Sequence, residues 1–252
     1  MRNQLVYDLP LRLFHWLFAA LFVVAFLIAK TVDDESAVFS YHMLAGLLLG
    51  FIVCLRLIWG VVGTRHARFS GFALHPQDLL KYLKGIVSGD QKRWSGHNPA
   101  SSWAAILMFA LALGLGLTGY LMASGQKETF EDVHEVLANG FLVVVLLHIA
   151  GVVLHALRHQ DGIALSMVDG AKEDLGTAGA IQSSRPMVAL IFVALVAGFG
   201  AYLAKNFNRQ NQTLHFFGQQ LQLGENEGAE GDEKQESKKK VDVQQDDDGD
   251  DD

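Results

Sequence analysis

A chain of 252 residues with half its positions hydrophobic is long enough for one soluble domain, but its apolar residues are gathered in blocks rather than spread at amphipathic spacing. The formal charge of −7 is equally uneven: residues 225 to 252 carry 13 Asp/Glu against 4 Lys, which leaves the remainder mildly basic at +2. The single Cys54, inside an apolar run, excludes intrachain disulfides and cysteine-ligated metal or Fe–S sites, so any metal centre must rely on histidine.

Crossing about 30 Å of hydrocarbon takes roughly 20 residues of helix. Five blocks approach that length, at about 11 to 30, 41 to 62, 103 to 123, 133 to 157 and 187 to 204. The first is too long for a signal-peptide core and no small-residue cleavage site follows it, so it is expected to stay as an anchor. The fifth follows Arg185-Pro186 and contains Gly198 and Gly200, which gives it less margin than the other four. The fold class expected is an all-α integral membrane protein: a four-helix transmembrane bundle over residues 1 to 172, a connector over 173 to 186, a fifth transmembrane helix over 187 to 204, and a polar, acidic, disordered tail over 205 to 252.

The connections set an expected orientation. Residues 63 to 102 hold Arg65, Arg68, Lys81, Lys84, Lys92 and Arg93, whereas 30 to 40 hold only Lys30 and 124 to 132 only Lys127. The positive-inside rule then puts the N-terminus and the long loop in the cytoplasm, and Arg158, Lys172 and Arg185 agree. A fifth span would carry the acidic tail to the far side, the periplasm of a Gram-negative cell. The tail reads most plainly as a solvated extension; a docking arm for a positively charged partner is the sharper alternative. Nothing in the chain points to nucleic acid.

Four histidines, His15, His42, His134 and His148, lie inside or at the ends of these spans. Ionisable residues at such depth are costly and usually functional. His134 and His148 are 14 residues apart, about 21 Å of rise and a rotation about 40° short of whole turns, so both can face one bundle interior near opposite membrane surfaces. Helix 1 starts inside and helix 2 outside, so depth pairs His15 with His148 and His42 with His134. Two stacked pairs suit bis-histidine b-type haem, held without a covalent link because no C-x-x-C-H sequence is present. A single intramembrane histidine is most simply a packed, hydrogen-bonded residue; four that pair by depth are not so simply explained.

Neighbouring residues admit two readings each. His155, seven residues after His148, shares its face by periodicity, but its surface position ahead of Arg158 and His159 favours His148 as the ligand. Arg12, one turn before His15, can serve haem propionates or anchor the chain at the membrane surface. Gly46, Gly119 and Gly140 admit a flat macrocycle or are ordinary membrane-helix glycines. Trp16, Trp59, Trp94 and Trp103 fit an interfacial belt.

The segments YDLPLRLFHW, YHMLAG, RLIWGVVGTRHARF, HPQDLLKYLKG, GHNPASSW, VHEVLANG, LLHIAGV and SMVDGAK follow one another in that order. Through them residues 7 to 172 resemble the bacterial cytochrome b561 and nickel-dependent hydrogenase b-type cytochrome family. The family implies a di-haem cytochrome b of the bacterial inner membrane, working in respiratory electron transport between the quinone pool and a periplasmic redox partner. By motif its axial ligands fall on His15, His42, His134 and His148, the same four that depth selects. GHNP is a further family signature, which makes His97 and Asn98 neighbours of the inner haem or a quinone; a turn with Pro99 starting helix 3 explains the segment equally well.

The leading expectation is an electron carrier between menaquinol or ubiquinol and a periplasmic c-type cytochrome or dehydrogenase, with the haems rather than any catalytic side chain doing the redox chemistry. Quinol oxidation would need a base, for which His155, His97 and Glu135 are candidates. The alternative is a cytochrome b anchor subunit of a hydrogenase or similar periplasmic oxidoreductase. A histidine-lined metal transporter ranks last, because the spans hold few Asp, Glu or Asn at mid-depth.

Overall fold

The computed structural model describes residues 3–88, 97–159, 165–173 and 179–224. Five long helices dominate it: α1 (Leu9–Thr31), α2 (Ser40–Val62), α4 (Pro99–Leu121), α5 (Lys127–His159) and α7 (Pro186–Asn206). Two shorter ones, α3 (Pro76–Ser88) and α6 (Ser166–Asp169), lie between them.

Local chemistry sets the helix ends. The α1 N-cap is Asp8, whose carboxylate accepts from Leu11 N at 2.9 Å ahead of Pro10 in the first turn. Asn98 does the same for α4, accepting from Ser101 N at 2.8 Å, with Pro99 as the first helical residue. Between α4 and α5 the chain passes through one π-turn over Met122–Gln126 and reverses at Gly125, where φ is 95°. Residues Pro99–Arg158 are continuous in apolar helical character, yet this reversal folds them into an antiparallel hairpin. Four apolar helical segments are long enough to cross a membrane, and the third of them is that hairpin.

The core lies mid-bundle, where Phe14 and Phe18 of α1, Ile52 and Val53 of α2, Phe109 of α4 and Phe141 of α5 pack together, with Phe192 of α7 joining from the side. Outward-facing Val61, Leu117, Val136, Leu147, Leu157 and Leu190 are each at least 60% exposed. A surface of that character over this length belongs against lipid, and the chain is a multi-pass membrane protein.

Two small sheets close the two ends. At the end where α1 begins, β1 (Asn3–Leu5) pairs antiparallel with β2 (Ala171–Glu173). Gly170, at φ 81°, ends α6 there; a Cβ on it would come within 2.7 Å of Tyr7 O. At the opposite end β3 (Phe207–Asn208), β4 (Thr213–Phe216) and β5 (Gln219–Gln222) form an antiparallel meander in that order. Sequence reading placed residues 205 to 224 in a disordered tail, and the structure corrects that: Leu214, Leu221 and Leu223 are buried with Ala123 and Leu203 against α2. Residues 225 to 252, the acidic part of the expected tail, lie outside the described residues, as does Trp94.

Candidate cofactor site

His42 stands in the first turn of α2 and His134 in the second turn of α5, and their rings meet edge-on with centroids 6.2 Å apart and planes at 75°. Each ring is oriented through Nδ1. His42 Nδ1 lies 2.8 Å from Ala25 O of α1, and because a carbonyl only accepts, the ring donates and its Nε2 keeps the lone pair. His134 Nδ1 lies 2.7 Å from Thr118 Oγ1 of α4. Thr118 spends its own hydroxyl proton on Gly114 O at 2.9 Å, so His134 also donates and also keeps Nε2 unprotonated.

Four helices thus supply one site, in which two half-buried imidazoles lie together with their Nδ1 atoms bonded and their Nε2 atoms unprotonated. This is the carbonyl- or hydroxyl-oriented histidine that metal centres use. Beside them Gly119 leaves the His134 ring edge uncovered: a Cβ there would sit 3.5 Å from Cε1. The chemistry of the donor set, two oriented neutral imidazoles, fits a haem iron, which His42 and His134 would hold. Among the described residues no three His, Cys, Asp or Glu side chains converge.

His15 on α1 and His148 on α5 are close enough to interact electrostatically, at the end of the bundle where α1 begins. His155 is buried two turns further along α5. His97 sits in the same region, its ring against Phe72 at 4.8 Å and Tyr7 at 5.7 Å. That enclosure, followed by the positive charge of Arg56 and Lys172 and the nearby His66 and His148, pushes its pKa down to about 3. His97 is therefore neutral throughout the physiological range and stores no proton there.

The hydrogen bonds of Arg12 and Asn98 are structural. Arg12 donates to Val168 O and, at 3.3 Å, to Asp169 O, pinning α6 to α1. Asn98 caps α4 and donates through Nδ2 to Tyr82 at 3.1 Å, tying α3 to α4. Trp59, expected in an interfacial belt, donates to the buried carboxylate of Asp8 at 3.1 Å. Trp16, 52% exposed, donates to Met167 O at 2.9 Å.

Three residues with a bearing on the site have no counterpart in the sequence reading. Thr118 was visible only as an isolated hydroxyl in an apolar run; its partner is on the other arm of a hairpin. Arg56, 2% exposed, lies over the rings of Phe69, Phe109 and Phe14 at 5.1 to 5.9 Å and donates to Ala67 O at 2.9 Å. Asp8, fully buried, faces it electrostatically. A lone charge inside the second apolar block was the available signal for Arg56.

The family model for prokaryotic cytochrome b561 matches residues 6–170, about two thirds of the chain. A probable Ni/Fe-hydrogenase B-type cytochrome subunit of Rhizobium leguminosarum is 27% identical over 213 residues, covering 66% of this chain and 87% of the relative. The corresponding protein of Cupriavidus necator is 25% identical over 207 residues, with 66% and 85% covered. A probable Ni/Fe-hydrogenase 1 B-type cytochrome subunit of Escherichia coli is 24% identical over 151 residues, with 50% and 63% covered. No solved structure matches. The family match spans α1 to α6 and stops before α7 and the second sheet. Over that span the chain belongs to the prokaryotic cytochrome b561 family, and it is a membrane electron-transport protein of the haem b class.

Proposed function

We propose that this protein is the membrane cytochrome b subunit of a hydrogenase-like oxidoreductase, linking that partner electronically to the quinone pool through two haems b. The observation that carries the reading is the His42–His134 pair, with ring centroids 6.2 Å apart and both Nδ1 atoms engaged. His15 and His148 would hold the second haem. The relatives named as hydrogenase cytochrome subunits favour this anchor role over the stand-alone quinol cytochrome that the sequence alone put first.

The bound haems supply one-electron redox chemistry. The chain's own residues do the rest: Ala25 O and Thr118 Oγ1 set the tautomer of the two ligands, and the apolar helices around them exclude water and so help set the potential. The basic connection after α2 supports a bacterial inner-membrane orientation with His15 and His148 toward the cytoplasm and His42 and His134 toward a periplasmic partner. Neutral His97, in the region of His15 and His148, is suited to accept or donate a hydrogen bond to a quinone and not to take its proton.

Purified protein should give two haems b per chain by pyridine haemochrome, with His42→Ala and His148→Ala each losing a different one. A folded, membrane-inserted chain that binds no haem sinks the reading. Purification from native membranes should bring down a metal-containing oxidoreductase; a chain that elutes alone and oxidises quinol by itself would restore the stand-alone role.

A further inference from the structure

The second sheet lies outside the family match, yet it is attached at the two places that build the His42–His134 site. Its first attachment is at the start of α2. Gln212 (7% exposed, φ 51°) reaches Ser40 Oγ through Oε1 at 3.5 Å, and Ser40 is fully buried two residues before His42. Leu223 N donates to Gln212 O at 2.8 Å, and a Cβ on Gly224 would strike Gln212 Oε1 at 1.6 Å, so the end of the meander closes directly over this side chain.

Its second attachment is at the end of α4. Tyr120 donates through its hydroxyl to Gln219 Oε1 of β5. Tyr120 follows Thr118, the acceptor of His134, and Gly119, which flanks the same ring. Between the attachments, Leu214, Leu221 and Leu223 bury Ala123 of the π-turn, with Met43, Leu44 and Leu47 of α2 packed on the same cluster. One folded element therefore spans two helix ends, the sites at which helices otherwise fray and local opening is cheapest.

We propose that residues 207–224 are a clasp that positions the His42–His134 pair and keeps water from it, which makes Gln212 and Tyr120 positioning residues for cofactor binding. The proposal rests on the reading that these two histidines hold a haem. His42 and His134 come from helices 92 residues apart in sequence, and their spacing follows from how the start of α2 sits against the α4–α5 turn. The family core contains both helices but not the meander that fastens them. A haem pocket at a helix end opens to water unless something covers it, and solvent access is one of the levers on haem potential.

The test uses full-length protein carrying Leu214→Asp, which undocks the sheet, and separately Gln212→Ala, which leaves the apolar contacts in place. The parent, both variants and His42→Ala are compared in three measurements: redox titration, binding of added imidazole, and hydrogen exchange of the haem-free protein. The haem lost in His42→Ala should titrate at an altered potential in Leu214→Asp and bind about 10- to 100-fold more weakly, while the other haem is unchanged. Added imidazole should bind that haem in Leu214→Asp and not in the parent. Exchange at residues 40 to 44 and 118 to 123 should quicken about tenfold in Gln212→Ala. Parent-like potentials, imidazole exclusion and exchange in both variants overturn the clasp. Full haem content in His42→Ala instead overturns the ligand reading, whatever the exchange measurement shows.

Discussion

Thr118 accepts a hydrogen bond from His134 across the α4–α5 hairpin at 2.7 Å, and its commitment to Gly114 O fixes the direction of that bond. Thr118→Val keeps the volume but removes the acceptor, leaving the His134 ring free to turn and to change tautomer. Loss of such an outer partner typically costs 10- to 100-fold in metal-centre affinity. Haem titration of the apoprotein should show one site weakened by about that factor, with Thr118→Ser restoring it. Equal affinity in Thr118→Val and parent would mean that the hydroxyl has no orienting role.

Much of this arrangement was legible in the residues, because the bilayer imposes simple rules. Each of the five apolar blocks became a helix, with the last running over Pro186–Asn206. Depth reasoning placed His42 beside His134, and the two rings do lie together. What was illegible depends on partners distant in sequence. The β3–β5 meander and the residue after it hide three buried leucines among seven Asn and Gln between residues 208 and 223, and its Phe217-Gly218 turn, with φ of 47° and 88°, carries no strong turn residue at its first position. Arg12 reads from its spacing as a propionate partner or a surface anchor, and its bonds to carbonyls of α6, more than 150 residues away, were not legible in the sequence.

Arg56 tests how much a charge inside the bundle matters. It is stacked among Phe14, Phe69 and Phe109, bonded to Ala67 O and electrostatically opposite the buried Asp8. Truncating Arg56 removes the bond to Ala67 O and the contacts with three rings and leaves a cavity among them, at a cost of about 2–5 kcal/mol. Arg56→Ala should lower resistance to unfolding in detergent accordingly. Arg56→Lys should recover only part, since an ammonium is a point charge without the planar face that the three rings contact. The double variant Asp8→Asn/Arg56→Met should be less damaged than Arg56→Ala. A parent-like melting profile for Arg56→Ala would show that the guanidinium carries no stability.

Gly60 permits a close crossing. A Cβ there would lie 2.1 Å from the Phe69 ring, which packs down on α2 just after the helix ends. Gly60→Ala should therefore cost about 1–3 kcal/mol through overpacking. Thermal unfolding should register that loss, and Phe69→Leu should relieve it in the double variant. An additive double variant would indicate that the two positions do not press on each other.

His97 links stability to pH with a definite sign. Enclosure by Tyr7 and Phe72, then the positive field of Arg56 and Lys172, lowers its folded pKa to about 3 from an ordinary value of 6.5. Between these values the unfolded chain binds a proton that the folded chain refuses. The stabilising contribution is thus fully present above pH 6.5 and is lost as pH falls toward 3, at about 1.4 kcal/mol per pH unit for one proton. His66, also lowered by burial, adds a slope of the same sign. Denaturant unfolding of the haem-free protein at intervals from pH 7.5 to pH 4.5 should show this decline, and His97→Gln should reduce its slope by nearly one proton. An unchanged slope in His97→Gln would mean that His97 is protonated in the folded chain, and with it would go the neutral hydrogen-bonding role assigned to its ring.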